Sequence, residues 1–300
     1  MLAYLTHGLM LTLSWFLVAN LAASVVVALV ASRVIRGTAS ANALFALRIA
    51  PSATAAAFVA AAFVPSYWIF EPRQSVEGFD VTLTLAALVA AIMMAAGIVR
   101  GGAAWLAVRR RTLAWADGLA PLPLMALVGI VRPRVFVSPT LMHVLTADEL
   151  SATLAHEMSH WHARDNLKRL VMRIAPDFLF GTATAREIER AWASAAEQAA
   201  DEVGAGRNAA ARCTLASALV KVARLMPDTV APLEPISTLV GGGELASRVR
   251  RLLDEPLPRA HRPRARMLTV IAAIVALVAL YAPLLHTVHE ASEILVNSLP

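Results

Sequence analysis

The sequence predicts a mainly α membrane protein: four transmembrane helices, with a separate α+β domain carried on the segment between the third and the fourth. Two observations set this class. The 300-residue chain is 58% hydrophobic and only 16% charged, too apolar for an ordinary soluble domain. The excess is also concentrated in uncharged blocks rather than spread evenly. Residues 8–32, 49–70, 81–99 and 267–285 each lie between charged or histidine flanks. Each is long enough to cross a hydrocarbon core of about 30 Å as a helix. Residues 118–131 are also uncharged, but the run is short and carries Pro121 and Pro123, so it reads as a core or interfacial segment.

This divides the chain into a three-helix membrane region over 1–99, a domain over 100–266, a fourth helix over 267–285 and a short tail over 286–300. Charge bias sets the expected orientation. Arg33, Arg36 and Arg48 follow the first block with no acid among them. Arg100 and Arg109–Arg111 follow the third, and Arg259, Arg262, Arg264 and Arg266 precede the fourth. Glu71, Glu77 and Asp80 lie between the second and third blocks, and Glu290 and Glu293 in the tail. The expectation is a multi-pass protein of the cell (inner) membrane, with both termini extracytoplasmic and residues 100–266 cytoplasmic. The first block is too long, and lacks the basic leader, for a cleaved signal peptide. The pI near 10.4 then reads as arginine anchoring at anionic headgroups. No direct nucleic-acid partner is expected, since no basic face interleaved with aromatics is present. Cys213 stands alone, which excludes a disulfide framework and a thiolate metal cluster.

The chemistry is carried by His156-Glu157-Met158-Ser159-His160. H-E-x-x-H on a helix places two imidazoles one turn apart on one face, within reach of one ion, with the glutamate beside them as general base. Helical context is supplied by Thr146-Ala147-Asp148-Glu149, a capping box, and by Leu150, Leu154, Met158 and Trp161 at helical spacing. A helix from about Ala147 to Arg164 follows. A catalytic zinc takes three protein ligands and keeps one open position. Downstream, Glu197-Gln198-Ala199-Ala200-Asp201 puts two carboxylates four apart in an alanine-rich stretch, on a helix opened by Thr184-Ala185-Arg186-Glu187 and ending near Gly204 or Gly206. Glu197 is the candidate third ligand to one Zn²⁺ per chain. Asp201 is the candidate outer partner for a ligating imidazole N–H. His162 points away from the His156/His160 face, and Asp165 reads as a helix-end polar contact or an outer partner.

The rest of the domain reads as short strands over 127–131 and 134–138 about Pro133, and an amphipathic helix over 167–181. Beyond these come a helix opened by Asn208, a Pro- and Gly-rich loop over 227–243, and a last short amphipathic helix over 244–253. Arg134–Ser138 could receive an extended substrate by strand addition. No tyrosine occurs between residues 100 and 266 to stabilise an oxyanion, which leaves His143, His162 and Arg207 as candidates.

The order of three apolar helices, a strand pair, H-E-x-x-H, E-x-x-x-D and a fourth apolar helix resembles the BlaR/MecR family of bacterial membrane metallopeptidases. The likeness extends from about Leu9 to Leu285 and is most specific in Val135-Phe136-Val137-Ser138, Leu154-Ala155-His156-Glu157 and His160 through Arg164-Asp165-Asn166. It implies a zincin-like (gluzincin) protease domain, with zinc on His156, His160 and Glu197 and with Glu157 as base. It also implies a protein substrate such as a cytoplasmic transcriptional repressor, and signal transduction as the setting. That family's sensors carry a penicillin-binding domain after the last helix. Residues 286–300 hold no S-x-x-K serine site, so the expectation is the protease module without β-lactam sensing. The nearest alternative is a CAAX-prenyl or heat-shock type membrane zinc endopeptidase. An alternative of another class is a non-proteolytic zinc-binding membrane regulator. A transporter is disfavoured because the blocks contain no Asp, Glu, Lys or Arg.

Overall fold

The structure is a computed structural model that describes residues 2–37, 40–72, 81–117, 124–130, 133–206, 209–225, 237–238, 245–254 and 283–294. It is mainly helical. Three helical segments are long and apolar enough to cross a membrane: Ala3–Arg36, Ala41–Phe70 and Val81–Trp115. They correspond to the first three apolar blocks. Of the fourth block, 283–285 are described and open a helix over 283–294; the remainder lies outside the described residues. Residues 118–123, Arg207, Asn208 and most of the 227–243 loop do so too.

α1 (Leu2–Arg36) is uninterrupted. The second segment is α2 (Ala41–Phe58), a π-helical turn (Val59–Phe63) and α3 (Val64–Phe70). The wider turn ends just before Pro65, whose ring cannot enter the regular hydrogen-bond ladder. α4 (Val81–Ala116) is the third. Leu29, Val81, Leu85, Ile92, Ile98 and Val99 are exposed on these helices, an apolar surface that water would not tolerate and that a bilayer accepts. The connection between the first two apolar blocks, residues 33–48, is mostly helical. α1 runs through Arg36 and α2 begins at Ala41, capped by Ser40. Arg48, the flank of the uncharged block 49–70, therefore stands inside the helix that carries this block and not in a loop before it. Its burial is accommodated by Asp177 and Glu189, each 2.7 Å away. A buried cation survives only with such partners.

The remaining elements form the α+β portion. β1 (Met125–Val128) pairs antiparallel with β2 (Arg134–Val137). α5 (Pro139–Val144) and α6 (Ala147–Ala163) follow, then α7 (Asp165–Ile174), α8 (Ala183–Ala205) and α9 (Ala209–Leu225). β3 (Ser237–Thr238), within the segment expected to be loop, pairs with the other edge of β1, giving the order β2-β1-β3. α10 (Leu245–Asp254) is the last described element of this portion, whereas α11 (283–294) packs on α1 and α3. Leu141, Leu145, Leu215, Leu219, Val222 and Leu252 form the core beneath α6.

α6 begins as its sequence dictates. Thr146 Oγ1 accepts from Glu149 N–H, and Glu149 Oε2 accepts from Thr146 N–H. Glu149 also accepts from Ser217 and Lys221 at 2.7 Å, which fastens α6 to α9. Burial would raise its pKa, but the Lys221, Thr146 and Ser217 donors hold it down at about 2. α8 starts earlier than expected. Gly181 turns the chain at positive φ, and Thr182 rather than Thr184 is the cap, accepting from Ala185 N–H.

The α+β portion sits directly on the helical bundle. Trp192 of α8 is buried with Leu44 of α2, and Ile188 with Val27 and Ala31 of α1. α7 ends against α4, where a Cβ on Gly97 or Gly101 would overlap Ile174. Arg100 donates to the carbonyls of Arg173 and Ala175 at the C-terminal end of α7. Asn20 and Ser52 both donate to Pro176 O.

Candidate metal centre

α6 and α8 cross at close range because the facing residues are small. Ala196 and Ala200 are buried, and a Cβ on Gly204 would stand 2.9 Å from Ala152 O and 3.1 Å from His156 Cβ. Gly204→Val is therefore expected to push the helices apart. The cost is about 1–3 kcal/mol of overpacking, read as a lowered Tm in detergent with weakened metal binding beside it. An unchanged Tm would mean that α8 is free to shift.

This crossing brings together residues that are about forty positions apart in sequence. His156 and His160, on one face of α6, are fully buried, with their Nε2 atoms 3.3 Å apart. Glu197 of α8 places Oε2 3.6 Å from His156 Nε2 and Oε1 3.6 Å from His160 Nε2. The three side chains each offer a ligand atom within 4.8 Å of the others. Tetrahedral bonds of 2.0–2.1 Å would put donor atoms about 3.3 Å apart, close to this spacing. Two imidazoles and one carboxylate are also a donor set that suits zinc.

A second layer fixes these groups. His160 Nδ1 lies 2.7 Å from Asp165 Oδ2. That contact keeps the proton on Nδ1 and turns the Nε2 lone pair towards Glu197. The chain reaches this geometry through Arg164, which closes α6 in the left-handed region (φ 56°) and swings Asp165 back under the helix. His156 Nδ1 lies 3.1 Å from Asp201 Oδ1, in ion-pair range though off the line of a well-formed hydrogen bond. Asp201 is gripped in turn by Arg248 of α10, which donates to its two oxygens at 2.9 and 2.6 Å. The same guanidinium places Nη1 3.0 Å from Glu197 Oε2.

Charge supports the fit. Glu157, Glu197, Asp201 and Asp165 gather here against Arg248 and Lys168, surroundings that favour positive charge at the imidazoles, whether a proton or a bound cation. Burial acts to depress the His156 pKa, but Asp201, Glu197 and Glu157 outweigh it and raise it to about 9. Burial acts to raise Glu197 and Asp201, yet His156 and Arg248 hold both below the usual carboxylate range. Glu157 differs. It is fully buried, neither carboxylate oxygen has a hydrogen-bond partner among the described residues, and burial pushes its pKa up despite the neighbouring imidazoles. A buried carboxylate without donors is costly and calls for a role.

Sequence reasoning singled out His156, Glu157, His160, Glu197 and Asp201, and the structure gathers all five. Of the two readings of Asp165, helix-end contact or outer partner, the structure shows the second, against His160. Arg248 was missed. A signal existed: Leu245, Arg248, Val249 and Leu252 share one face of α10, so the arginine interrupts an apolar stripe. The oxyanion candidates do not converge among the described residues. His143 is exposed on α5, and His162 is exposed with its Nδ1 donating to Met158 O at 2.7 Å.

Residues 125–200 match the family model of Peptidase family M48. The matched stretch begins at β1 and ends just past Glu197, so it contains the H-E-x-x-H helix and the third ligand candidate and stops short of Asp201 and Arg248. The match supports a metallopeptidase of that family; it does not reach the BlaR/MecR level. Together with the three apolar helices it indicates a membrane-associated metallopeptidase with a protein substrate. No curated protein and no solved structure matches the chain.

Proposed function

We propose that this protein is a membrane-embedded zinc endopeptidase that cuts a cytoplasmic or membrane-proximal protein, with a regulatory protein such as a transcriptional repressor as the favoured substrate. The observation that carries the reading is the convergence of His156, His160 and Glu197 beside a buried, donor-less Glu157. His156, His160 and Glu197 would hold the ion. When bound, it would polarise the scissile carbonyl and acidify water, the chemistry zinc brings to peptide hydrolysis.

The chain's own residues supply the rest. Glu157, with its pKa raised by burial, takes a proton from the attacking water and delivers it to the departing amine. Asp165 and Asp201 hold the imidazole rings in register, and Arg248 fixes Asp201 and Glu197 together. Among the described residues β2 is an edge strand of the sheet, which suits an extended substrate by strand addition. The arginine-rich segments support a cytoplasmic side for this domain, with both termini outside.

A second reading is favoured by one observation. α7 and α8 rest on the bundle itself, so the site lies beside the membrane. That suits a CAAX-prenyl or heat-shock type endopeptidase acting on membrane proteins. Comparing new protein N-termini in cells carrying the wild-type chain and Glu157→Ala separates the two. Cleaved soluble regulators support the first reading and cleaved membrane proteins the second. Identical sets of termini would favour a non-proteolytic zinc-binding regulator.

A further inference from the structure

A second donor cluster lies at the other end of the bundle. Glu71, His289 and Glu293 each offer a ligand atom, and these atoms all lie within 4.8 Å of one another. They come from opposite parts of the chain. Glu71 ends α3, extended at φ −74° and ψ 126°. His289 and Glu293 are one turn apart on α11, so they present a chelating pair on one face.

The setting is built, not incidental. Ser66 donates to Leu285 O at 2.7 Å, and Trp15 Nε1 donates to Ser292 Oγ at 3.1 Å, which seats α11 on α1 and α3. Val288 packs with Leu11 and Phe63. Phe70 stacks on the His289 ring at 5.5 Å between centroids and so sets the plane of that imidazole. The three side chains line a cavity of about 10 Å³ together with His7, Ser66 and Ser292, room for a single small ion. An imidazole in the set disfavours calcium and magnesium, which take oxygen, and favours a borderline divalent cation.

We propose that Glu71, His289 and Glu293 form a second binding site for a zinc-class divalent cation, which ties α11 to the end of α3. This site is separate from the His156 cluster. His7 of α1 lines it, whereas Val27 and Ala31 of α1 pack under α8. Twenty helical residues span about 30 Å, the thickness of a hydrocarbon core. The two sites thus lie at opposite ends of the bundle, and the distal one does not depend on peptidase activity.

The test is metal stoichiometry on the full chain in detergent micelles. It compares wild type, His289→Ala/Glu293→Gln and Glu71→Gln after equilibration with micromolar zinc. Both variants are expected to bind one equivalent less than wild type while keeping its Tm without added metal. Cobalt in place of zinc should lose the matching share of its visible absorption in both. If the His156 cluster binds no zinc, the expected counts fall to one and zero, and the difference persists. Equal metal content in wild type and His289→Ala/Glu293→Gln overturns the proposal. Loss in that variant but not in Glu71→Gln overturns the three-residue site, because α3 would then contribute nothing.

Discussion

Glu157→Gln is expected to abolish peptide-bond hydrolysis while leaving the metal content and the fold unchanged. The substitution keeps the volume of the side chain and removes its basicity. General acid–base groups contribute about 10²–10⁴-fold, so residual cleavage of an unfolded protein substrate should fall by that factor in kcat. The metal should stay because Glu157 is not among the three converging ligand atoms, which belong to His156, His160 and Glu197. The fold should survive because Glu157 makes no side-chain hydrogen bond among the described residues that the amide could break. Removing a buried charge without donors is expected to leave Tm equal or slightly raised. Cleavage that persists at the wild-type rate would remove Glu157 from the chemistry. Lost metal together with lost activity would mean that it holds the ion instead.

Arg248→Ala is the second large effect. The guanidinium is 3% exposed and is shared between Asp201 and Glu197. Deleting it leaves the buried Asp201 and the half-buried Glu197 short of a partner, a loss of about 3–5 kcal/mol when one side of a buried pair is removed. The expected result is a markedly lower Tm in detergent and weaker zinc binding, with the deficit in Tm partly recovered by saturating zinc, because a bound ion stabilises the folded form. Arg248→Lys should recover less than half of the effect. An ammonium cannot bridge both oxygens of Asp201 and reach Glu197 from one plane. If Arg248→Ala binds zinc as tightly as wild type, α10 is a bystander to the site.

The sequence showed the site more fully than the fold around it, for physical reasons. H-E-x-x-H is local, since its geometry is fixed by one helical turn, and Thr146 and Glu149 mark where that helix starts. Glu197 and Asp201 were legible because their four-residue spacing repeats the same logic on an alanine-rich helix. Arg248 and Asp165 act through contacts that periodicity does not encode. Asp165 reaches His160 only because Arg164 adopts a left-handed conformation, which no residue type there announces. Arg248 reaches Asp201 across 47 positions. The apolar blocks located the three long helices but not their ends, because helices continue through charged residues wherever partners are available. Arg48 sits inside α2 because Asp177 and Glu189 fold back to meet it. β3 was invisible: two residues of Ser and Thr carry no strand pattern, and the pairing with β1 alone defines them.

The central claim is a zinc ion held where α6 meets α8, and its coordination shell can be read directly. X-ray absorption at the zinc edge, on His289→Ala/Glu293→Gln protein loaded with one equivalent, isolates this site. The expected shell has two imidazole nitrogens and carboxylate or water oxygen at about 2.0–2.2 Å. The imidazole signature should be lost in the same protein with His156→Ala added. A shell without imidazole, or one that His156→Ala leaves unaltered, would contradict the account.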